Sequence, residues 1–277
     1  MVQPEPYIGI DLGTTNSCVG YWTPEEQVYI IPNEQGRTTT PSWVAFQPGG
    51  ETVVGERACT FDNWVYDAKR YIGRKFSDEK TQELLRTAKF RVVQGERDRC
   101  DVDFTESLGP GERYSMEEVS AKVLNAMKKT AERHIGQPVT KAVVTVPAYF
   151  NNSQKQATKD ACSVAGLECI RIINEPTAAA MACGFHTMDE DTNVVIFDLG
   201  GGTFDVTICT ISDGVVDVRA TIGNMLLGGR DLDELLAKHC MEKFEARTGI
   251  DLQEHAADRR RLSTACELAK LQLSNQH

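Results

Sequence analysis

One short pattern occurs twice in this chain, and it constrains the fold more than any other feature. Residues 8–19 read Ile-Gly-Ile-Asp-Leu-Gly-Thr-Thr-Asn-Ser-Cys-Val, and residues 195–208 read Val-Ile-Phe-Asp-Leu-Gly-Gly-Gly-Thr-Phe-Asp-Val-Thr-Ile. In each copy an apolar strand ends at Asp-Leu-Gly, a turn of small residues follows, and a second strand leaves. Asp11 matches Asp198 and Gly13 matches Gly200, while Thr14 sits one turn position from where Thr203 falls. Glycine lets such a turn close tightly and lets backbone N–H groups approach an anion with no side chain between. A single glycine-rich hairpin is common. Two of them, each opening with an aspartate, predict a duplicated fold whose halves grip one polyphosphate from opposite sides.

The 277 residues are enough for one large domain or two modest lobes, each with a proper core. A formal charge of −10 argues against a nucleic-acid surface, which carries a basic stripe. A nucleotide is still accommodated, because backbone amides and a magnesium ion neutralise phosphate locally. The nine cysteines form no C-x-x-C pair, and Cys162, Cys169 and Cys209 lie in apolar runs. They read as small buried hydrophobes in a reducing compartment. The five histidines are dispersed, so no nitrogen or sulfur metal cage is visible. Neither a secretory leader nor a membrane span is legible, and the expectation is a soluble intracellular protein that binds neither nucleic acid nor membrane.

Strand-like alternation covers 7–22, 28–31 and 42–54, with Asn33-Glu34-Gln35-Gly36 as a turn. Residues 55–114 are mixed and polar, and Glu106 to Gly111 reads as a loop. Ser115 and Glu118 form a capping box for a helix carrying Val119, Val123, Met127 and Ala131 at helical spacing, stopped at Gly136. Lys141–Val146 reads as a buried strand ended by Pro147, Ser153–Val164 as a helix ended by Gly166, and Cys169–Ile173 as a further strand. Pro176 opens a helix that runs to Gly184. The acidic run Met188 to Asp191 reads as a lobe boundary, followed by a β-rich block over 193–222 and helices near 231–247 and 258–274. The expectation is an α/β protein in two related lobes. Lobe I covers 1–187, with a small subdomain inserted at about 39–114, and lobe II covers 188–277.

Five strings, in order, then carry a family resemblance: Asp-Leu-Gly-Thr-Thr-Asn-Ser-Cys-Val-Gly (11–20), Asp-Ala-Lys-Arg-Tyr-Ile-Gly-Arg (67–74), Val-Thr-Val-Pro-Ala-Tyr-Phe-Asn (144–151), Ile-Asn-Glu-Pro-Thr-Ala-Ala-Ala (173–180) and Phe-Asp-Leu-Gly-Gly-Gly-Thr-Phe-Asp-Val (197–206). Together they resemble the nucleotide-binding domain of the seventy-kilodalton heat-shock chaperones, the DnaK-type family, over about residues 7–274. The resemblance implies the actin-like ATPase fold, with two duplicated lobes around a nucleotide cleft and the second lobe incomplete. It implies ATP or ADP with Mg²⁺ as ligands and hydrolysis to ADP and phosphate. It also implies a chaperone cycle whose partners are unfolded polypeptides, J-domain co-chaperones and nucleotide exchange factors, in the cytoplasm with the nucleus as a second compartment.

Phosphoryl transfer to water asks for positioning and charge compensation more than for covalent chemistry. Asp11 and Asp198 suit a hydrated Mg²⁺ held through its waters, although either alone reads as a turn-forming aspartate. Gly13, Thr14, Thr15 and Asn16 in the first turn, with Gly200, Gly201, Gly202 and Thr203 in the second, would cradle phosphates. Taken alone, Lys69 is a surface lysine and Glu175 a favourable charge in the first turn of a helix. The resemblance places Lys69 at the γ-phosphate and attacking water, and Glu175 beside the catalytic water and metal shell. It gives Asp205 a share in ordering water or metal, with Asp198 and Thr203 also catalytic. Pro147, Lys155 and Lys159 become an interdomain relay with Glu175. Gly228, Gly229, Glu267, Lys270 and Ser274 match positions that touch nucleotide, the last three sharing one helix face.

Three residues depart from the family pattern. Lys155 and Leu271 stand where arginine is usual, and Arg230 replaces an acidic residue. The family's domain also continues past this sequence with a glycine-rich adenosine segment, a linker and a peptide-binding domain. Two other readings follow: a non-hydrolytic nucleotide-binding fragment or interaction module, and a sugar-type kinase of the same fold.

Overall fold

A computed structural model describes residues 6–23, 28–86, 88–184, 192–252 and 255–275, with side chains at all of these except 256, 257 and 260. The lobe boundary read at Met188–Asp191 lies outside the described residues. The chain divides into two compact units, one formed by Met1–Asp198 with Asp205–Gly223, the other by Leu199–Phe204 with Asn224–His277.

The first unit opens with β1 (Tyr7–Asp11), β2 (Asn16–Trp22) and β3 (Val28–Ile30), followed by β4 (Thr40–Pro41), β5 (Val44–Phe46), β6 (Thr52–Val54) and β7 (Trp64–Val65). The strand-like stretch over 42–54 forms two strands, because Gln47 to Glu51 turns β5 back on β6. The polar stretch after residue 55 holds α1 (Ala68–Tyr71), α2 (Glu79–Leu85), β8 (Val92–Gln94), β9 (Cys100–Asp103), α3 (Thr105–Leu108) and β10 (Arg113–Ser115). Part of the loop expected at 106–111 is therefore a single helical turn, held at its start by the Asp103 carboxylate, which accepts from the Thr105 N–H at 2.9 Å.

Then come α4 (Met116–Ile135), β11 (Lys141–Val146), α5 (Asn152–Val164), β12 (Glu168–Asn174) and α6 (Glu175–Ala182). The capping box of α4 is as read: the Ser115 Oγ accepts from the Glu118 N–H, and the Glu118 carboxylate accepts from the Ser115 N–H at 2.7 Å. Its buried stripe of Val119, Val123, Leu124, Met127 and Ala131 follows from the apolar spacing. A second capping box starts α5 one residue early, at Asn151 with Gln154.

The main sheet runs β12-β11-β1-β2-β3, with β4 also on β2. Its first three strands are parallel and the rest antiparallel. The parallel strands carry the core, including Ile8, Ile10, Ala142, Val144 and Val146. A separate sheet, β13-β14-β15, is built from Thr192–Leu199, Phe204–Ser212 and Val215–Asn224. The second unit adds α7 (Gly229–Thr248) and α8 (Ala256–Leu273), which pack on each other and start two residues earlier than expected. An α/β chain with the repeated strand–turn–strand unit is therefore what the residues build.

Candidate functional site

In the first unit, the end of β1 and the turn after it form the first phosphate-type hairpin. Gly13 is required there by space, since a Cβ on it would lie 2.0 Å from the Asn16 carbonyl oxygen. The turn is tied from outside by Ser42, whose hydroxyl donates to the Gly13 carbonyl at 2.7 Å and whose N–H donates to the Thr15 carbonyl at 2.8 Å. Thr14 is buried, Asn16 is exposed, and the buried Thr15 hydroxyl has no partner among the described residues. A buried hydroxyl of this kind is costly unless something satisfies it, which is what a ligand oxygen would do.

Parallel pairing sets Val144 beside Ile10, so Thr145 follows alongside Asp11, and its hydroxyl donates to the Asp11 carboxylate at 2.8 Å. Lys69 is only 8% exposed on the short helix α1, with Asp67 before it in the left-handed region at φ 56°. Its Nζ reaches the Glu175 carboxylate at 2.5 Å across 106 residues of sequence. The solvated surface lysine suggested by the residue alone is thus excluded. Glu175 is the first residue of α6, where strand β12 passes directly into the helix.

Around this pair the carboxylates sense one another. Burial raises the pKa of Glu175, against the pull of Lys69, with Asp11 and Asp198 adding repulsion. Burial likewise raises Asp198, with Lys69 lowering it and Asp11 raising it. Asp205, 3% exposed, is pushed up to about 7 by burial, then by Glu175 and Asp198. One Asp205 carboxyl oxygen has no partner among the described residues, and it fits only because Gly223 has no Cβ, which would lie 2.2 Å from it. Four carboxylates against one lysine is an excess of negative charge that a hydrated cation would relieve. Among the described residues no three such side chains converge to ligate an ion directly, so a cation here would be held through its waters.

The second turn and the helix after it belong to the other unit. The Gly200 N–H donates to the Thr203 carbonyl at 2.9 Å, so this amide is already used within the turn. The carbonyls of Gly200 and Gly201 accept from the N–H groups of Gly229 and Arg230 at 3.0 and 2.8 Å. Gly228 allows that approach, since a Cβ on it would lie 2.4 Å from the Gly202 nitrogen. Lys270 donates to Asp233 at 2.6 Å and to the Gly229 carbonyl at 3.0 Å, which fastens α8 to the start of α7. Glu267, Leu271 and Ser274 are exposed, and the Ser274 hydroxyl donates back to the Lys270 carbonyl at 3.1 Å. Pro147 is buried at the end of β11, Lys155 is half-buried and Lys159 exposed on α5.

The structure thus brings Asp11, Lys69, Glu175, Asp198 and Asp205 into one charged cluster. Reading the sequence missed Thr145, Ser42 and Gly223. Thr145 stands inside the Val-Thr-Val-Pro string, but only strand register reveals its partner.

This mixed α/β architecture with its two strand–turn–strand units is consistent with the actin-like ATPase fold. A protein-family model described as Hsp70 protein matches residues 7–277, and the chain belongs to that family. It is 49% identical over 274 residues to the "Ribosome-associated molecular chaperone SSB" of Candida glabrata, covering 97% of this chain and 44% of that protein. It is 49% identical over 276 residues to the "Heat shock 70 kDa protein" of Neurospora crassa, covering 98% and 42%. The "Heat shock 70 kDa protein 2" of Paracoccidioides lutzii is 48% identical over 275 residues. The chain spans less than half the length of these curated relatives, at 44% and 42%.

Proposed function

We propose that this chain binds and hydrolyses ATP as part of a molecular chaperone that couples its nucleotide state to binding and release of unfolded polypeptides. The observation that carries this reading is the buried Lys69–Glu175 pair set among Asp11, Asp198 and Asp205. Asp11 and Asp198 would hold Mg²⁺ through its waters, with Thr145 fixing the Asp11 carboxylate. When bound, the ion would neutralise charge building on the phosphate oxygens. Thr14 and Thr15 donate to phosphate, and Gly13 and Asn16 shape that turn. The same reading assigns nucleotide contact to Gly200, Gly201, Gly202, Thr203, Gly228, Gly229, Glu267, Lys270 and Ser274.

Lys69 supplies a point charge that is stronger in a desolvated site than in water, and it stabilises the transferring phosphoryl group. Glu175 fixes that ammonium and orders the attacking water. Asp205, with a pKa near neutrality, is suited to exchange a proton with water at its unpartnered oxygen. Pro147, Lys155 and Lys159 carry the nucleotide state outward from Glu175. Lobe I is taken as 1–187, with its insert at about 39–114, and lobe II as 188–277. J-domain co-chaperones, nucleotide exchange factors and a cytoplasmic setting complete the reading.

The test has two stages on the purified chain. Calorimetric titration with ATP is expected to show binding that requires Mg²⁺ and weakens in Asp198→Asn; binding indifferent to Mg²⁺ would overturn the metal assignment. Single-turnover hydrolysis is then expected to slow by ~100-fold or more in Lys69→Ala, with ATP affinity nearly unchanged. Equal rates in both proteins would remove Lys69 from the mechanism.

A further inference from the structure

Two cysteines on adjoining elements carry chemistry that the nucleotide site does not use. Cys162 lies in the last turn of α5 and is 0% exposed, while Cys169 is the second residue of β12 and half-buried. The chain reverses between them within Ala165-Gly166-Leu167: the Leu167 N–H donates to the Cys162 carbonyl at 2.9 Å, with Gly166 at φ +69°. That closure is a helix C-terminal motif, and it folds β12 back beneath α5. The register of β12 on β11 then jumps from Cys169 opposite Ala142 to Arg171 opposite Val143, leaving Ile170 as the extra residue of a bulge. Bulges re-aim neighbouring side chains. Helix α5 packs on β12, the Cys169 Sγ donates to the Arg171 carbonyl at 3.5 Å, and the two thiols are near enough for each to shift the pKa of the other.

We propose that Cys169 and Cys162 form a reversible dithiol–disulfide pair, with Cys169 the reactive thiol and Cys162 the resolving one, oxidised by a small peroxide. The asymmetry is structural. Cys169 stands on the edge strand of the sheet, where an oxidant can arrive, whereas Cys162 has no solvent contact. The hydrogen bond from Cys162 and the charge of Lys159 both lower the pKa of Cys169, against burial. The hydrogen bond to Cys169 and burial both raise Cys162. A thiolate is the nucleophile, so the half-buried Cys169, more accessible than Cys162 and with the lower pKa, reacts first.

The steps balance. The Cys169 thiolate attacks one peroxide oxygen, the O–O bond breaks, and the departing hydroxide leaves as water, which converts Cys169 to a sulfenic acid. Cys162 then gives up its proton and attacks the Cys169 sulfur. The S–S bond forms, the S–O bond breaks, and a second water departs. Two thiols are oxidised, and one hydrogen peroxide is reduced to two waters.

Trypsin would release residues 160–171 as one peptide holding both cysteines, since Lys159 and Arg171 flank it. The reduced chain is treated with hydrogen peroxide, alkylated under denaturing conditions so that burial cannot mimic protection, and mapped by mass spectrometry. The expected product is this peptide with neither cysteine alkylated and lighter by two hydrogens, with both alkylation sites restored by dithiothreitol. In Cys162→Ser, Cys169 is expected to be captured by dimedone as the sulfenic acid. The exposed Cys183 is the internal control. If Cys183 oxidises while both thiols of the peptide stay fully alkylated, or if either bridges a different cysteine, the proposal is overturned.

Discussion

The two Asp-Leu-Gly hairpins are alike in sequence and unlike in surroundings. Aligned on their aspartates, Ile8 and Ile10 correspond to Val195 and Phe197. The first pair is 1% exposed, while Val195 and Phe197 are 66% and 68% exposed. In the first sheet, β1 takes β11 on its outer edge and α4 packs on β1 and β2. In the second, β13 is an edge strand, and among the described residues its outer edge pairs with nothing. One side of this sheet is nevertheless well covered, because Asp205, Thr207, Cys209 and Ile211 on β14 are all buried. The strand–turn–strand unit is thus specified locally, and burial of its strands is supplied by elements that come later in the chain.

The comparison breaks most sharply under truncation of matched apolar residues. Ile10→Ala is expected to cost roughly 2–5 kcal/mol in a urea unfolding curve, through lost burial and the cavity left behind. Phe197→Ala is expected to cost under ~1 kcal/mol, because the ring is already largely in water. Equal losses would mean that the exposed face of β13 is covered in solution.

The buried side of the second sheet is sharpened by Asp205, whose pKa is pushed up to about 7 by burial and by Glu175 and Asp198. A carboxyl raised on folding binds its proton more tightly in the native state. Its contribution to stability is therefore complete below the ordinary carboxylate range and is lost as pH rises through about 7. Without Mg²⁺, the wild-type chain should lose stability from about pH 4 to pH 7. Asp205→Asn should reduce that slope and be more stable by ~1–3 kcal/mol at the upper end. Glu175 and Asp198 are raised too, so some slope persists. An unchanged profile would show that Asp205 titrates as it does unfolded.

What could be read from the sequence divides along the same line. The hairpins, the capping box at Ser115 and the stripe on α4 were legible because each depends on residues a few positions apart. The strings around Lys69 and Glu175 marked a site through resemblance, but nothing local shows that these two meet across 106 residues. Thr145 against Asp11 depends on parallel register, and Ser42 against the first turn depends on how β4 returns to β2. Cys169, read as a buried hydrophobe, is half-buried, because its apolar neighbours conceal both an edge strand and a bulge. The strand-like alternation over 42–54 was legible too, but its division into β5 and β6 depends on the turn at Pro48-Gly49-Gly50 between two apolar runs.

The smallest expected effect contrasts one helix from each compact unit. Helix α4 begins with a complete capping box and keeps eight residues buried, Ser120 among them. Helix α8 begins at His255, which makes no side-chain cap bond, and exposes Leu268, Leu271 and Leu273. A cap satisfies N–H groups that a helix otherwise leaves to water, and its loss typically costs ~1 kcal/mol. Ser115→Ala should therefore cost about 1 kcal/mol. His255→Ala should leave the unfolding curve unchanged, since it removes no such bond. Native-state hydrogen exchange gives the same contrast residue by residue: amides of α4 should exchange only through large-scale unfolding, and those of α8 through local opening. Lys270, bonded to Asp233 and to the Gly229 carbonyl, is the contact that would resist that opening, so Lys270→Met should speed exchange along α8 and leave α4 untouched. Equal protection of the two helices in the wild-type chain would show that packing against α7 holds α8 as firmly as the main sheet holds α4.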